Sequence, residues 1–213
     1  MGLADRSVRD LLTAFSSTDP TPGGGSASAL ASAVGASLLM MVAGLPKTRT
    51  GSDDDRAALT SAAGVLADIR RRLTDAVDAD TAAYDQVVAA YKLPKGSADE
   101  QSARKGAIQR ALRAATDVPL DVVRLSAAAL NEAITVATHG HRAAASDVGV
   151  AVALLRAGTR GARLNVEINI VGMSDTGYAD AVAARSACWI AAVRADCSPA
   201  DAPARVYAAM TRS

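Results

Sequence analysis

The chain of 213 residues is long enough to bury one substantial core, and 50% of its residues are hydrophobic. Aromatic residues make up only 3%, and the apolar ones are mostly alanine, valine and leucine, which favours closely packed helices over sheets. The formal net charge of +1 excludes a global electrostatic attraction to nucleic acid or to acidic membranes.

The first two predicted helices flank a glycine-rich loop. Residues 5–15 form an amphipathic helix, whose apolar face is expected to carry Val8, Leu11, Leu12 and Phe15. The second helix runs from Ser26 to Gly44 and is rich in alanine, serine and glycine, and residues 20–46 carry no charge. Its serines and the absence of an aromatic belt argue against membrane insertion. We therefore expect a buried central helix.

The rest of the chain also shows helical period and helical end signals. A long helix is predicted over 54–91, and Ser97 to Glu100 has the capping-box pattern that opens the next. Pro119 is expected to kink or divide that helix before it ends near residue 138. Further helices are predicted over 146–171, 175–196 and 198–211, with a short strand over 166–171 as an alternative. Together these predict one all-α domain of about eight helices spanning residues 1–213.

Charge runs and cysteines give weaker signals. Residues 53–55 are three aspartates and residues 70–72 are three arginines, and both runs are interpreted as solvated helix surface. Cys188 and Cys197 are spaced for neither a disulfide framework nor a zinc site, so buried thiols are expected. The N-terminus lacks a signal-peptide pattern, and we expect a cytoplasmic protein.

The glycine loop is the first candidate binding element. Gly23, Gly24, Gly25 and Ser26 stand at the start of a helix, where unpaired backbone N–H groups can hold an anion. The loop is neither a P-loop nor a dinucleotide-binding fingerprint, because no strand precedes it and no Gly-Lys-Ser/Thr follows. Close packing of the helix against a neighbour is the alternative, and the residues alone favour it over ligand contact.

Two pairs of residues spaced by one helical turn are further candidates. Asp80 and Tyr84 share one face of the long helix, either as a functional pair or as an exposed acid beside a half-buried tyrosine. Asn165 and Asn169 could read a polar heterocycle, since each amide both donates and accepts, or they could join helices. Asp175 follows them and could also be only an N-cap.

A histidine-containing segment precedes another acidic residue. His139 and His141 flank Gly140, and Ser146 and Asp147 follow. No carboxylate or cysteine stands at metal-ligand spacing from the histidines, so we expect no metal site. A histidine that titrates near neutrality could instead assist proton transfer.

Taken together, these motifs resemble the formiminotransferase-cyclodeaminase C-terminal family. The resemblance covers roughly residues 5–195, and it rests on three blocks: Pro20 to Ser26, Ser146 to Ala151, and Asn165 to Asn169. The family includes free-standing formimidoyltetrahydrofolate cyclodeaminases and methenyltetrahydrofolate cyclohydrolases. The resemblance implies an all-helical homodimer with a folate cleft between helices, and neither a metal nor a redox cofactor.

The resemblance also implies roles for the candidate residues. Asp80, Asp147 and Asp175 are the expected proton-transfer carboxylates, and Asn165 and Asn169 are expected to hold the pterin or position water. The glycine loop, Tyr84 and Ser146 are expected to line the substrate site, and Lys95 or Arg104 could pair with the glutamate tail of folate. His141 stands where the family pattern has asparagine, so it too is placed at the substrate site.

Three functions remain open on the sequence. The leading one is a one-carbon tetrahydrofolate enzyme that acts at the N5/N10 carbon, as a cyclohydrolase or a cyclodeaminase. The second is a non-catalytic folate-binding or regulatory relative, which the histidine at position 141 motivates. The third is a purely structural helical dimer, which leaves the aspartates and asparagines unexplained.

Overall fold

A computed structural model describes the backbone of residues 2–195 and the side chains of residues 2–191. Over this range the chain forms six α-helices, one 3₁₀ turn at Arg142–Ala144, and a single isolated β-bridge between Thr48 and Gly140. The helices are α1 (Val8–Phe15), α2 (Gly24–Ala43), α3 (Asp53–Tyr91), α4 (Ala98–His139), α5 (Ala145–Val171) and α6 (Thr176–Ala195). The prediction of an all-α protein is confirmed.

Four of these helices form the core bundle. α2 packs against α3 and α5, and α4 packs against the same two helices on the other side. α3 and α5 therefore occupy opposite corners of the bundle.

Serine N-caps fix where three helices begin: Ser7 for α1, Ser52 for α3 and Ser97, within the predicted capping box, for α4.

Small residues let α2 and α5 approach closely along their length. A Cβ added at Gly158 would lie 2.0 Å from the hydroxyl oxygen of Ser32, and one at Gly161 would lie 2.3 Å from that of Ser28. At the other end of the contact, a Cβ on Gly35 would lie 2.8 Å from Leu155. The alanine, serine and glycine content of α2 thus serves helix packing.

The helix count differs from the predicted eight for two reasons. α4 runs through Pro119 without a break, so one predicted division is absent, and the predicted helix over 198–211 lies outside the described residues. The alternative strand over 166–171 is also wrong, because α5 is helical to Val171. In this helix, the alternating segment Val-Glu-Ile-Asn-Ile-Val directs its valine, asparagine and isoleucine side chains to different sides.

α2 is less buried within one chain than predicted. Its outward side carries no charge and is partly open, with Val34 and Met41 each nearly half exposed. By length and composition alone α2 could cross a membrane, a test that core helices of soluble proteins also pass, and 56% of its apolar window is buried. On α1, Leu11 is buried but Val8 and Leu12 are exposed, so the predicted apolar face is only partly used.

Two predictions about individual side chains are wrong. Asp55 is not solvated surface: it is 6% exposed and is hydrogen-bonded to Thr50 and His139. Cys188 is exposed rather than buried, and Cys197 lies outside the described residues.

Candidate active site

The bundle opens into a groove where α2 begins. α2 runs antiparallel to α3, since Ser26 at the start of α2 contacts Val77 in the second half of α3, while Arg56 near the start of α3 bonds Ala43 at the end of α2. α2 has 20 residues and α3 has 39, so the last three turns of α3 extend beyond the start of α2. The last turns of α5, from Asn165 onward, also extend beyond the start of α2. We call the gap between the C-terminal turns of α3 and those of α5, over α4, the groove.

Asp80 lies at the inner end of the groove, against the first turn of α2. Its Oδ2 accepts a hydrogen bond from the backbone N–H of Ser26 at 2.8 Å and another from the Ser26 hydroxyl at 3.1 Å. The same hydroxyl lies 2.8 Å from the carbonyl oxygen of Val77. In the described part of the chain, no hydrogen bond is found at Oδ1 of Asp80, which packs against Gly25.

The environment of Asp80 makes it suitable for proton transfer. Burial raises the pKa of Asp80 above its ordinary value, because it disfavours the charged form, and the two bonds from Ser26 offset part of this. A carboxyl group with a raised pKa can both hold and release a proton closer to neutral pH. The sequence-based choice of Asp80 therefore agrees with its surroundings.

The glycines of the loop allow α3 and α5 to lie close to the start of α2, in addition to any contact with a ligand. A Cβ on Gly25 would lie 2.0 Å from Oδ1 of Asp80, so only glycine leaves room for the carboxylate there. A Cβ on Gly24 would meet Nδ2 of Asn165 at 3.5 Å, which places α5 on the other side of the loop. The backbone N–H groups of Gly24 and Gly25 belong to the first helical turn and have no partner within α2.

Asn165 and Asn169 both use their amide nitrogen within the protein. Nδ2 of Asn165 donates to the carbonyl of Gly161 at 2.9 Å, and Nδ2 of Asn169 donates to the carbonyl of Ala115 on α4 at 2.8 Å. Their Oδ1 atoms are left as acceptors, one helical turn apart. Asp80 and these two amides thus give the inner half of the groove an acceptor-rich lining, beside two backbone N–H donors from α2.

A basic cavity of about 470 Å³ lies further along α3, where that helix ends. Its lining residues come from α3, α4 and the loops after α3 and α5: Tyr91, Lys95, Gln101, Arg104, Lys105, Ile108, Gln109 and Gly172. Asp80 and Tyr91 are eleven residues apart on α3, which corresponds to about 16 Å at 1.5 Å per residue. The acceptor groups near Asp80 and the cationic cavity therefore lie at two levels of the same helix, α3.

The structure refines the roles expected at this cationic end. Arg104 donates to the carbonyl of Tyr91 through Nη2 at 3.0 Å and lies 5.6 Å from the centre of its ring, so it also caps α3. Lys105, which the sequence did not single out, lines the cavity beside Lys95 and Gln109. The position of Lys105 directly after Arg104 was the only signal for it.

Two further candidates lie beside the groove in different settings. Tyr84 is exposed on α3, between Asp80 and the cavity. Asp175 accepts a hydrogen bond from the backbone N–H of Tyr178 at 2.9 Å, so it has the N-cap geometry that was the alternative interpretation for it.

Asp147, Ser146 and His141 lie at the opposite end of the bundle. Asp147 is in the first turn of α5, and Asn165 follows it by eighteen residues, or about 27 Å along the helix. One chain therefore brings together the glycine loop, Asp80, Asn165 and Asn169, but it does not add Asp147 to them.

A buried polar cluster occupies that opposite end. Oδ1 of Asp55 lies 2.8 Å from Nδ1 of His139, and its Oδ2 accepts from the backbone and the hydroxyl of Thr50, both at 2.7 Å. The bond from His139 and those from Thr50 hold the pKa of Asp55 far below its ordinary value. The cluster connects the loop after α2 to the end of α4.

No group of three or more potential metal-ligand side chains occurs among the described residues.

Comparison with known proteins gives one consistent result. The family model described as formiminotransferase-cyclodeaminase matches residues 7–187. A methenyltetrahydrofolate cyclohydrolase from Methylorubrum extorquens is 38% identical over 176 residues, which cover 83% of this chain and 85% of that protein.

Longer relatives and a solved structure also match. A formimidoyltransferase-cyclodeaminase from Rattus norvegicus is 32% identical over 81% of this chain, and the matched part spans 32% of that longer protein. The crystal structure of a formiminotetrahydrofolate cyclodeaminase from Thermotoga maritima superposes with a TM-score of 0.83 at 25% identity. That superposition covers 97% of this chain and 96% of the other.

Proposed function

Because the chain belongs to the formiminotransferase-cyclodeaminase family, we propose that it is a one-carbon tetrahydrofolate enzyme acting at the N5/N10 carbon. The observation that carries the proposal is Asp80, a half-buried carboxyl group with a raised pKa that shares the groove with two asparagine acceptors. The third sequence-based function, a purely structural dimer, gives no use to this arrangement.

The two reactions of the family place similar demands on a site. In the cyclohydrolase reaction, water adds to the electron-poor carbon that bridges N5 and N10, and the ring opens to a formyl group as a proton is released. In the cyclodeaminase reaction, N10 attacks a formimino carbon on N5 and ammonia leaves. Both pass through a tetrahedral carbon between nitrogens, and both need proton transfer and negative charge near a delocalised cation.

Asp80 meets these demands in the proposed complex. Its Oδ2 is held by Ser26 and its Oδ1 lies against Gly25, so the side chain is oriented before substrate binds. The ionised form stabilises the cationic cyclic species, and the raised pKa allows the same group to exchange a proton. No step requires a metal or a redox cofactor.

The two ends of the groove suit the two ends of a folate. The donor-rich edge of a reduced pterin would pair with the acceptor oxygens of Asn165 and Asn169. The glutamate tail would reach the cationic cavity, where Lys95 and Lys105 supply charge and Arg104 keeps one face beside Tyr91. The distance of about 16 Å along α3 is of the order of an extended folate.

A homodimer would bring Asp147 to the groove. The outward side of α2 is uncharged, and on the neighbouring α5 the apolar side chains of Leu164, Ile168 and Val171 are 65%, 69% and 80% exposed. Exposed apolar side chains of this kind are typical of a subunit interface. We propose that two copies pair through this surface of α2 and α5.

The position of the two-fold axis decides which residues meet. If the axis crosses α5 near residue 156, midway between Asp147 and Asn165, the start of one α5 lies beside the end of the other. Each groove would then be completed by Asp147, Ser146 and His141 of the second copy. This accounts for two sets of candidate residues that one chain holds about 27 Å apart.

Cyclohydrolase is the first of the two activities to test. The relative that shares 38% identity over 85% of its own length is a methenyltetrahydrofolate cyclohydrolase. The cyclodeaminase remains a second candidate, since the superposition with the Thermotoga maritima protein extends over 97% of this chain.

The absorbance of methenyltetrahydrofolate distinguishes the functions. We expect the enzyme to remove this absorbance when it is incubated with the methenyl compound, beyond the rate without enzyme. A gain of absorbance from the formimino compound would instead identify a cyclodeaminase. Folate binding with neither change would support the non-catalytic alternative and contradict the proposal.

A further inference from the structure

Pro119 and Asn169 are linked through one backbone carbonyl. Proline has no N–H, so the carbonyl of Ala115, four residues earlier in α4, lacks its usual helical donor. Nδ2 of Asn169 on α5 lies 2.8 Å from that carbonyl oxygen. Ala115 is only 9% exposed, so an unpaired carbonyl there would be costly. The amide of Asn169 therefore supplies the bond that the proline removes.

We propose that Pro119 is a positioning residue, whose missing N–H holds Asn169 in the orientation that presents its oxygen to the substrate. A carbonyl oxygen can only accept, so the NH₂ group of Asn169 must face Ala115. Its Oδ1 is then left as the acceptor toward the groove. Without this constraint the amide could rotate by half a turn and present donors instead.

The same polarity occurs at Asn165. Its Nδ2 is bound to the carbonyl of Gly161 at 2.9 Å, so its Oδ1 is also the outward atom. Two acceptors of fixed polarity, one turn apart, would select a ligand edge that carries N–H donors. The identity of that ligand as a reduced pterin rests on the proposed function, whereas the coupling of Pro119 to Asn169 does not.

Replacing the proline should separate stability from substrate binding. In Pro119→Ala the new N–H can bond Ala115, so α4 regains a regular hydrogen bond and Asn169 loses its fixed partner. We expect the melting temperature to stay equal or rise, because proline disfavours a helix interior. We expect the dissociation constant for a stable reduced folate, 5-formyltetrahydrofolate, to rise at least several-fold, with KM rising more than kcat falls.

A double-mutant cycle tests the coupling itself. Asn169→Ala should lower the melting temperature clearly in the natural sequence, because it leaves the Ala115 carbonyl unpaired, and much less in the Pro119→Ala background. Asn131→Ala, at an exposed asparagine of the same α4, is the control, and its effect should add to that of Pro119→Ala.

Each outcome bears on a different part of the inference. Additive effects of Pro119→Ala and Asn169→Ala on the melting temperature would overturn the coupling. Coupled stabilities with unchanged folate affinity in Pro119→Ala would overturn the positioning role. Failure of the natural protein to bind reduced folate would instead overturn the proposed function and the assignment of the ligand, while the stability cycle would still decide the coupling.

Discussion

The carboxylate of Asp80, three turns before the end of α3, binds the first turn of α2 through two hydrogen bonds from Ser26 at 2.8 and 3.1 Å. Ser26 is fully buried, so this attachment is shielded from water. The arrangement holds one carboxylate oxygen in place and sets the other against Gly25. It also requires that the residue before Ser26 be glycine.

Substitution at Gly25 should therefore disturb both folding and activity. In Gly25→Ala the new methyl group would meet Asp80 at 2.0 Å, so the carboxylate must move. We expect a loss of about 1–3 kcal/mol in the free energy of unfolding, as for other overpacked sites, together with a loss of turnover. Denaturant unfolding and a turnover assay measure the two effects.

Gly64→Ala is the matched control for this substitution. Gly64 lies inside α3, and a Cβ there has no neighbour within 4 Å among the described residues. We expect it to stabilise the protein by about 0.5–1 kcal/mol and to leave turnover unchanged. Equal effects at positions 25 and 64 would contradict the close contact with Asp80.

Mixing two inactive variants tests whether the site is shared between subunits. Asp80→Asn and Asp147→Asn homodimers should both be inactive if each groove needs one residue from each copy. After dissociation and random reassociation, half of the dimers would be mixed and each would carry one intact groove. We expect recovery of about a quarter of the natural activity. No recovery, with mixed dimers demonstrated, would place both residues in one chain's site or exclude one of them.

The cationic cavity should contribute to binding of the folate tail. Lys105→Ala removes one of the charges that line it, and we expect KM to rise about two- to fivefold, as for a solvent-exposed ion pair. The effect should shrink at high salt and vanish with a substrate that lacks glutamate. A rise in KM that is equal for substrates with and without glutamate would contradict a contact between Lys105 and the tail.

The buried Asp55 should make stability depend on acid. Its pKa lies below the value of about 3.9 expected in the unfolded chain, so its contribution is present above that pH and is lost as the pH falls. We expect Asp55→Asn to lower the melting temperature at pH 7, with the difference narrowing between about pH 5 and pH 3. Replacement of the exposed neighbour Asp53 by asparagine should change the melting temperature far less.

Burial has the opposite consequence at Asp80. The pKa of Asp80 is raised in the folded protein, so ionisation of Asp80 lowers the free energy of unfolding as the pH rises from acid toward the pKa of the folded state. Asp80→Asn should accordingly be as stable as the natural protein, or more so, near neutral pH. A pH series of melting curves for the Asp55 and Asp80 variants would show trends of opposite sign.

Local patterns predicted the elements better than their contacts. Helix starts with a serine cap, such as Ser97, and the division between α3 and α4 could be read from neighbouring residues. The continuity of α4 through Pro119 could not, because the bond that replaces the missing N–H comes from Asn169, 50 residues later. The expectation of a divided helix failed at a contact that only the tertiary fold creates.

The candidate site was predictable to a similar degree. Asp80 and the glycine loop were identified separately, and the fold brings them into contact. Asp55 was interpreted as surface because its partner His139 lies 84 residues away, and a run of three aspartates normally marks a solvated helix start. The separation of Asp147 from the groove depends on the relative length and direction of α2 and α5, which motifs alone do not specify.

Turnover of methenyltetrahydrofolate by Asp80→Asn is the most direct test of the account. Asp85→Asn, an exposed aspartate on the same helix, is the matched control, and melting curves establish that both variants fold. We expect Asp80→Asn to lose about 10²- to 10⁴-fold in kcat, the usual contribution of a proton-transfer group, and Asp85→Asn to retain natural activity. A folded Asp80→Asn enzyme with unchanged kcat would contradict the assignment of the groove as the active site.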